Sequence, residues 1–147
     1  MQTISPRSPR ISDVRLLKFI GELDCDEHMD LIKFRIPESN MGLPIILTAP
    51  HGGMPSCGSE VGLTPRTEGL LMGDKHTMSL LMEIDSALQE RTGRQPFIVT
   101  ALIHRKFIDL NRHAREAYPV ECEPAKKYYD AYHGRVNECI AAAVAPF

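Results

Sequence analysis

The chain lacks several features that mark common classes of protein. Its 147 residues contain no basic tract and carry a formal net charge of −2, so the composition gives no support for binding nucleic acid or a membrane surface. No apolar run approaches the roughly 18 residues that a membrane-spanning helix needs. The first ten residues include two arginines but no apolar stretch, so they are not expected to form a secretory signal.

Paired cysteine spacing is also missing. Cys25, Cys57, Cys122 and Cys139 show no C-x-x-C pattern. Because disulfides are rare in the reducing cytosol, we expect free thiols and a cytoplasmic protein rather than two disulfides. The hydrophobic content of 43% and the charged content of 24% are ordinary for a soluble globular chain, and the length suits one domain with a real core.

The chain divides into a lead-in and a single predicted domain. Residues 1–12 are rich in Ser and Pro and are predicted to be disordered, so the domain is expected to span residues 13–147. Two stretches, Val14 to Ile20 and Asp30 to Ile36, alternate imperfectly between apolar and charged residues. They predict a β-hairpin, or two strands at the edge of a sheet, where one face can remain exposed to solvent.

The next stretch, from Pro44 to Gly53, predicts a strand that delivers a histidine. The apolar and β-branched run from Ile45 to Thr48 indicates a short buried strand, which stops at Pro50 and is followed by His51 and two glycines. Glycines allow a backbone and a ligand to approach closely. We therefore consider two roles for His51, a metal ligand at the carboxyl end of the strand or a histidine that caps a turn.

The remaining pattern favours an α/β fold. Gly52 to Gly73 predicts a long loop, either disordered or forming the wall of a pocket. Helical spacing predicts helices over Asp74 to Arg91 and over Pro124 to Val144, and the apolar run from Gln95 to Leu102 predicts a strand buried on both faces. This order indicates a mixed, mostly parallel sheet with flanking helices, in which ligands bind beyond the carboxyl ends of the strands.

The highest concentration of polar and charged side chains follows the second predicted buried strand, in the stretch H-R-K-F-I-D-L-N-R from His104 to Arg112. It forms either a solvated turn or the half of a site that faces His51. Arg105 and Arg112 each present a planar fork of donors, which suits a carboxylate or a developing oxyanion. Asp109 lies between the two arginines and is expected to orient one of them through a charge-assisted pair.

Two further residues have both structural and functional interpretations. Asp74 precedes the first predicted helix, where an aspartate favours the N-cap position and also suits a divalent metal. His133 lies on the semi-buried stripe of the last predicted helix, and that position is more typical of a core residue than of a catalyst.

Four short motifs follow one another with compatible gaps between about Ile45 and Ile140. They are A-P-H-G-G, Asp74-x-x-Thr77, R-K-F-I-D-L-N-R and Y-D-A-Y-H. Together they resemble the N-formylglutamate amidohydrolase family, which is related in fold to zinc carboxypeptidases and aspartoacylases. The resemblance implies a phosphorylase/hydrolase-like α/β sheet. It also implies a zinc-dependent hydrolase of the amide bond in a small N-acyl amino acid such as N-formylglutamate.

The resemblance implies a role for each matching residue on the metal side of the site. His51 matches the family's first zinc ligand, and the acidic ligand falls on Asp74, with Glu68 as a weaker candidate. The family's third zinc ligand, a histidine in an Asp-x-His motif, and its general base both come after the last predicted helix. The chain stops before that motif, at Phe147. His133 is a possible substitute, although it matches a different family position.

On the substrate side, Arg105 matches the arginine that polarises the scissile carbonyl. Asn111 and Arg112 match the pair that grips the substrate's carboxylate. The missing motif implies a C-terminally truncated domain with weak or absent zinc and an exposed sheet edge, which invites a homodimer. The alternative is a non-catalytic carboxylate-binding domain, or a structural α/β domain, that has lost the complete metal site.

Overall fold

A computed structural model describes residues 11–27, 29–54 and 57–145 of the chain. Four helices and four strands, with one short 3-10 helix at Ser59–Val61, make up the regular structure of these residues. In chain order they are α1 (Ile11–Glu22), β1 (Asp24–Cys25), β2 (Ile32–Arg35), β3 (Gly42–Ala49), α2 (Thr77–Thr92), β4 (Gln95–Ala101), α3 (Ala114–Ala117) and α4 (Glu123–Val144). No helix in these ranges is long and apolar enough to cross a membrane.

The strands form one open sheet in the order β1-β2-β4-β3. The pairs β1–β2 and β2–β4 are antiparallel, and only β3–β4 is parallel. The α/β fold is therefore as predicted, but the expectation of a mostly parallel sheet is wrong. A short turn joins β1 to β2 and makes that pair antiparallel, whereas the α2 crossover makes β3 and β4 parallel.

The prediction of a strand at Val14 to Ile20 is also wrong, because this stretch belongs to α1. Its apolar residues recur at helical spacing, with Phe19 and Leu23 buried and Leu16 and Ile20 packed beside them. Strand β2 instead pairs with β1, which lies between the two stretches predicted as strands. Helix α1 begins inside the predicted lead-in, and the rest of that lead-in, residues 1–10, lies outside the described residues.

Strand β4 is the centre of the core, as its unbroken apolar sequence predicts. On one face, Phe97 and Val99 join a cluster with Tyr128 and Tyr132 of α4. On the other face, Ile98 packs with residues of α1 and α2. The predicted last helix is confirmed as α4, and the four cysteines are all free thiols.

Strand β3 exists as predicted, but it is not a buried strand. It lies at the end of the sheet and pairs only with β4 among the described residues. Pro44 and Thr48 are exposed, and Ile45 is 38% exposed. A proline lacks the N–H that a central strand needs, so the sequence itself suits an edge position.

Helix α2 begins later than predicted, at Thr77. His76 is its N-cap and has a left-handed backbone (φ 63°), so the interpretation of Asp74 as the helix cap is wrong. Three apolar residues of α2 face the sheet as expected, Met78, Leu81 and Met82. Asp85 is also buried, and its carboxylate accepts two hydrogen bonds from Arg35 of β2, at 2.7 and 3.0 Å.

Candidate functional site

His51 leaves the end of β3 and is packed against the end of β4. The N–H of Gly52 donates to the Ala101 carbonyl at 3.0 Å, which joins the two strand ends. A Cβ atom at Gly53 would lie only 2.4 Å from the carbonyl oxygen of Leu102. The glycine pair therefore lets one backbone pass close to another, and His51 is enclosed with 1% of its surface exposed.

Both ring nitrogens of His51 are engaged. Nε2 accepts a hydrogen bond from the Leu110 N–H at 3.1 Å, and Nδ1 lies 3.0 Å from Oδ2 of Asp74. This pattern indicates a neutral ring that carries its proton on Nδ1 and donates it to Asp74. Burial lowers the pKa of His51, and the charge of Arg105 lowers it further, while Asp74 and Asp109 oppose the change.

The buried carboxylate of Asp109 links His51 to the arginines. Its Oδ1 lies 3.2 Å from Nε2 of His51 and accepts the Asn111 N–H at 3.1 Å. Its Oδ2 faces three guanidinium groups at longer distances. These are Arg112 (Nε, 3.6 Å), Arg105 (Nε, 3.7 Å) and Arg66 (Nη1, 4.0 Å).

Asp74 completes this group of charges, which we call the charged cluster: His51, Arg66, Asp74, Arg105, Asp109 and Arg112. Oδ1 of Asp74 lies 3.1 Å from Nη1 of Arg105, while its other oxygen faces His51. Nε of Arg105 is buried without a hydrogen-bond partner in the described part of the chain. Arg105 is therefore held mainly through its charge and its terminal nitrogen.

A cavity of about 380 Å³ borders the charged cluster. Arg66 and Arg112 line it, together with Arg115 and two carboxylates, Glu68 and Glu116. One wall is the segment from Arg66 to Gly69, so the long loop after β3 forms part of a pocket, one of its two expected roles. The size suits a small molecule, and the lining suits an anion.

The structure brings together five residues that the sequence singled out: His51, Asp74, Arg105, Asp109 and Arg112. Asn111 lies beside them, but its side chain is exposed and makes no hydrogen bond within the described ranges. Glu68 lines the cavity and makes no ion pair there. The ring of His133 lies 4.3 Å from that of Tyr129, centroid to centroid.

The donors do not complete a catalytic zinc site. In residues 11–27, 29–54 and 57–145, no three His, Cys, Asp or Glu side chains are grouped so that they could hold a metal ion. His51 and Asp74 supply two converging donors, and neither Glu68 nor His133 joins them. A catalytic zinc usually takes three protein ligands and one water. The described residues therefore fit part of such a site.

Arg66 is the member of the cluster that sequence reasoning missed. It lies in a loop without periodicity, about forty residues before the arginines that it joins. The only local hint is the turn-forming Gly69 three residues later, which is too common a signal to identify a site. Arg105, Asp109 and Arg112 were easier to find because they share one short segment after a buried strand.

Fold and site together define an open-sheet α/β protein with a buried His–Asp–Arg cluster beside an arginine-lined cavity. Comparison of the chain with protein-family models, curated proteins and solved structures finds no match in any of the three. The resemblance to N-formylglutamate amidohydrolases therefore rests on the sequence motifs alone.

Proposed function

We propose that this chain holds the substrate-binding part of a zinc-dependent hydrolase that acts on the amide bond of a small N-acyl amino acid such as N-formylglutamate. The observation that supports this most is the charge balance of the cluster. Three guanidinium groups face only two carboxylates, and His51 is neutral. The charged cluster by itself therefore carries one excess positive charge. Glu68 lines the same cavity but forms no ion pair with these arginines among the described residues, so the carboxylate of a ligand would balance that charge.

The metal side of the proposal rests on His51 and Asp74. Nδ1 and Oδ2 lie 3.0 Å apart and are donor types that zinc takes. If Nδ1 held a metal, the ring proton would lie on Nε2. The Leu110 N–H would then lose its acceptor, and Nε2–H would donate instead to Oδ1 of Asp109, 3.2 Å away. Bound zinc would supply an activated water and a polarised carbonyl. Because a third donor is not among the described residues, no step of the reaction is assigned to the metal.

The arginines have separable roles in the proposal. Arg112 is 57% exposed, lines the cavity and donates no side-chain hydrogen bond among the described residues, so it contacts the ligand's carboxylate and orients the acyl group. Arg105 is mostly buried and ion-paired to Asp74, so it is positioned to stabilise negative charge on a carbonyl oxygen next to the proposed metal ligands.

A second candidate is a carboxylate-binding domain without catalysis. The incomplete donor set favours it, because binding through Arg66 and Arg112 requires no metal. In both cases we place the protein in the cytoplasm, since its free cysteines suit a reducing compartment.

Metal content and ligand binding separate the two candidates. The hydrolase proposal predicts about one zinc ion per purified chain, lost in His51→Ala and kept in His113→Ala. The His113 change is the control because this exposed side chain makes no hydrogen bond or ion pair among the described residues. Zinc at background in the unmodified chain would contradict the hydrolase. N-formylglutamate binding that survives chelation and fails in Arg112→Ala would favour the carboxylate-binding domain.

A further inference from the structure

We infer that Arg66 determines the specificity of the cavity, as a fixed guanidinium that binds the carboxylate of a small anionic ligand. The inference rests on the proposed function, because it concerns the ligand of the same cavity, but it requires neither zinc nor hydrolysis. It assigns the principal anion contact to a residue outside all four motifs.

Arg66 is held in place before any ligand arrives. Its side chain is 8% exposed, and Nη1 donates to the carbonyls of Leu70, at 3.0 Å, and Arg105, at 3.2 Å. Its backbone N–H donates to the Lys106 carbonyl at 2.7 Å. The guanidinium therefore pays little conformational entropy when it binds a ligand.

The remaining donors of Arg66 are available. Nε and Nη2 make no hydrogen bond within the described ranges, although the side chain lines the cavity. Among the described residues, Asp109 is the carboxylate within 4.0 Å of Arg66, and it also faces two other arginines. A ligand carboxylate would therefore add a strong charge-assisted pair and would not have to displace an existing one.

Gly69 makes room for this arrangement. A Cβ atom there would lie 2.8 Å from Nη2 of Arg66, and the backbone of Gly69 is left-handed (φ 77°). A side chain at this position would press against the nitrogen that we assign to the ligand.

The other arginines of the cavity are less well prepared. Arg112 is largely exposed, and Arg115 is more exposed still and is ion-paired with Glu116. Fixing either side chain costs rotamer entropy on binding. Glu68 lines the same cavity and forms no ion pair with any residue that the structure describes, so its charge opposes an anionic ligand. These differences make Arg66 the anchor and Glu68 the residue that weakens binding.

Arg66 could instead have a purely structural role, in which its hydrogen bonds only fix the loop to residues 105–106. In that case substitution would affect folding, but the NMR resonances of Arg66 would not respond to a ligand. The measurements below follow both the folding and the ligand response.

The test measures the Kd of N-formylglutamate by calorimetry on the full chain. We expect Arg66→Ala to weaken binding about tenfold or more, as for a lost charge-assisted pair, and Glu68→Gln to tighten it about twofold to threefold. Arg91→Ala is the matched control, because Arg91 is exposed on α2 and makes no ion pair in the described part of the chain, so the Kd of this variant should not change. The Nε–Hε resonance of Arg66 should shift on titration.

Arg66→Lys keeps the charge if Arg66→Ala fails to fold. We expect Arg66→Lys to melt close to the temperature of the unmodified chain but to bind the ligand more weakly than that chain does. Unchanged affinity in a folded Arg66 variant, or weaker binding in Glu68→Gln, would overturn the inference. If Arg112→Ala abolishes binding and Arg66 variants do not, the inference fails and the proposed function stands. If the unmodified chain does not bind at millimolar ligand, both fail.

Discussion

At the scale of single residues, three half-buried or buried histidines share one response to pH. Burial lowers the pKa of His51, His104 and His133 below the ordinary value of 6.5. His51 is the most enclosed of the three, and its tautomer is fixed by Leu110 and Asp74. Each ring therefore binds a proton more readily in the unfolded chain than in the folded one.

We predict that the free energy of unfolding falls as the pH drops below about 6.5, because the unfolded state then takes up more protons. Stability from these histidines is fully present above that value and is lost as the pH falls towards their folded pKa values. Urea unfolding between pH 8 and pH 5 measures the slope. His51→Gln should reduce it, and a slope equal to that of the unmodified chain would show that His51 does not contribute.

A second prediction concerns Asp109, the carboxylate that faces three guanidinium groups. We expect Asp109→Asn to lower the free energy of unfolding by about 3–5 kcal/mol, since it removes the carboxylate that faces the buried guanidinium of Arg66 and one of the two carboxylates that face Arg105. Glu116→Gln is the control, because this exposed ion pair with Arg115 should contribute about 0–1 kcal/mol. Equal losses in the two variants would argue against a buried charge network.

At the scale of elements, the sequence correctly predicted the helices and strands whose apolar residues recur at a regular local spacing. Strand β4 and helix α4 were found because both have long and regular apolar patterns. Helix α1 was misassigned because V-R-L-L-K-F-I fits alternation and helical spacing almost equally well. The edge position of β3 depends on which strands pair, and pairing over long distances leaves little trace in a local pattern.

The same limit applies to the site. The turn after β4 carries Arg105, Asp109 and Arg112 within eight residues, so their proximity was predictable. Arg66 reaches them only through the fold of a long loop, and its role depends on two backbone carbonyls that any residue type supplies.

The glycine pair after β3 gives an element-scale prediction. Gly53→Ala should destabilise the chain by about 1–3 kcal/mol or more, because its Cβ would meet the backbone of Leu102, which cannot move aside as a side chain can. Gly134→Ala is a matched control in α4, where a Cβ meets nothing within 4 Å. It should stabilise by about 0.5–1 kcal/mol. Thermal melts of both variants test this pair, and a Gly53→Ala melt like that of the unmodified chain would contradict it.

At the scale of the whole molecule, one side of β3 has no partner strand among the residues that the structure describes. Ile45 lies on this edge, while Ile84 of α2 and Ile140 of α4 are exposed on the helices that cover the two faces of the sheet. A strand with one unpaired edge, flanked by exposed apolar side chains, favours pairing with another chain. We therefore propose that two copies associate through β3.

Sedimentation at increasing protein concentration tests this association. We expect a dimer whose population falls in Ile45→Lys, since a lysine on an edge strand opposes pairing. Leu17→Lys changes an exposed apolar residue on α1 and should leave the dimer intact. A monomer at all concentrations, or equal loss in both variants, would exclude β3 as the interface.

The edge position of β3 has a consequence for affinity. His51 lies two residues after the end of this strand, so its place in the site is set by a segment that pairs with one strand, β4, among the described residues. If dimerisation makes β3 more rigid, it also restrains the ligand-binding residues next to this strand. Suppose that a ligand binds the dimeric state more tightly than the monomeric state by some factor. Thermodynamic linkage then requires that bound ligand raises the dimerisation constant by the same factor. Assembly and ligand binding in this chain would then form a single linked equilibrium.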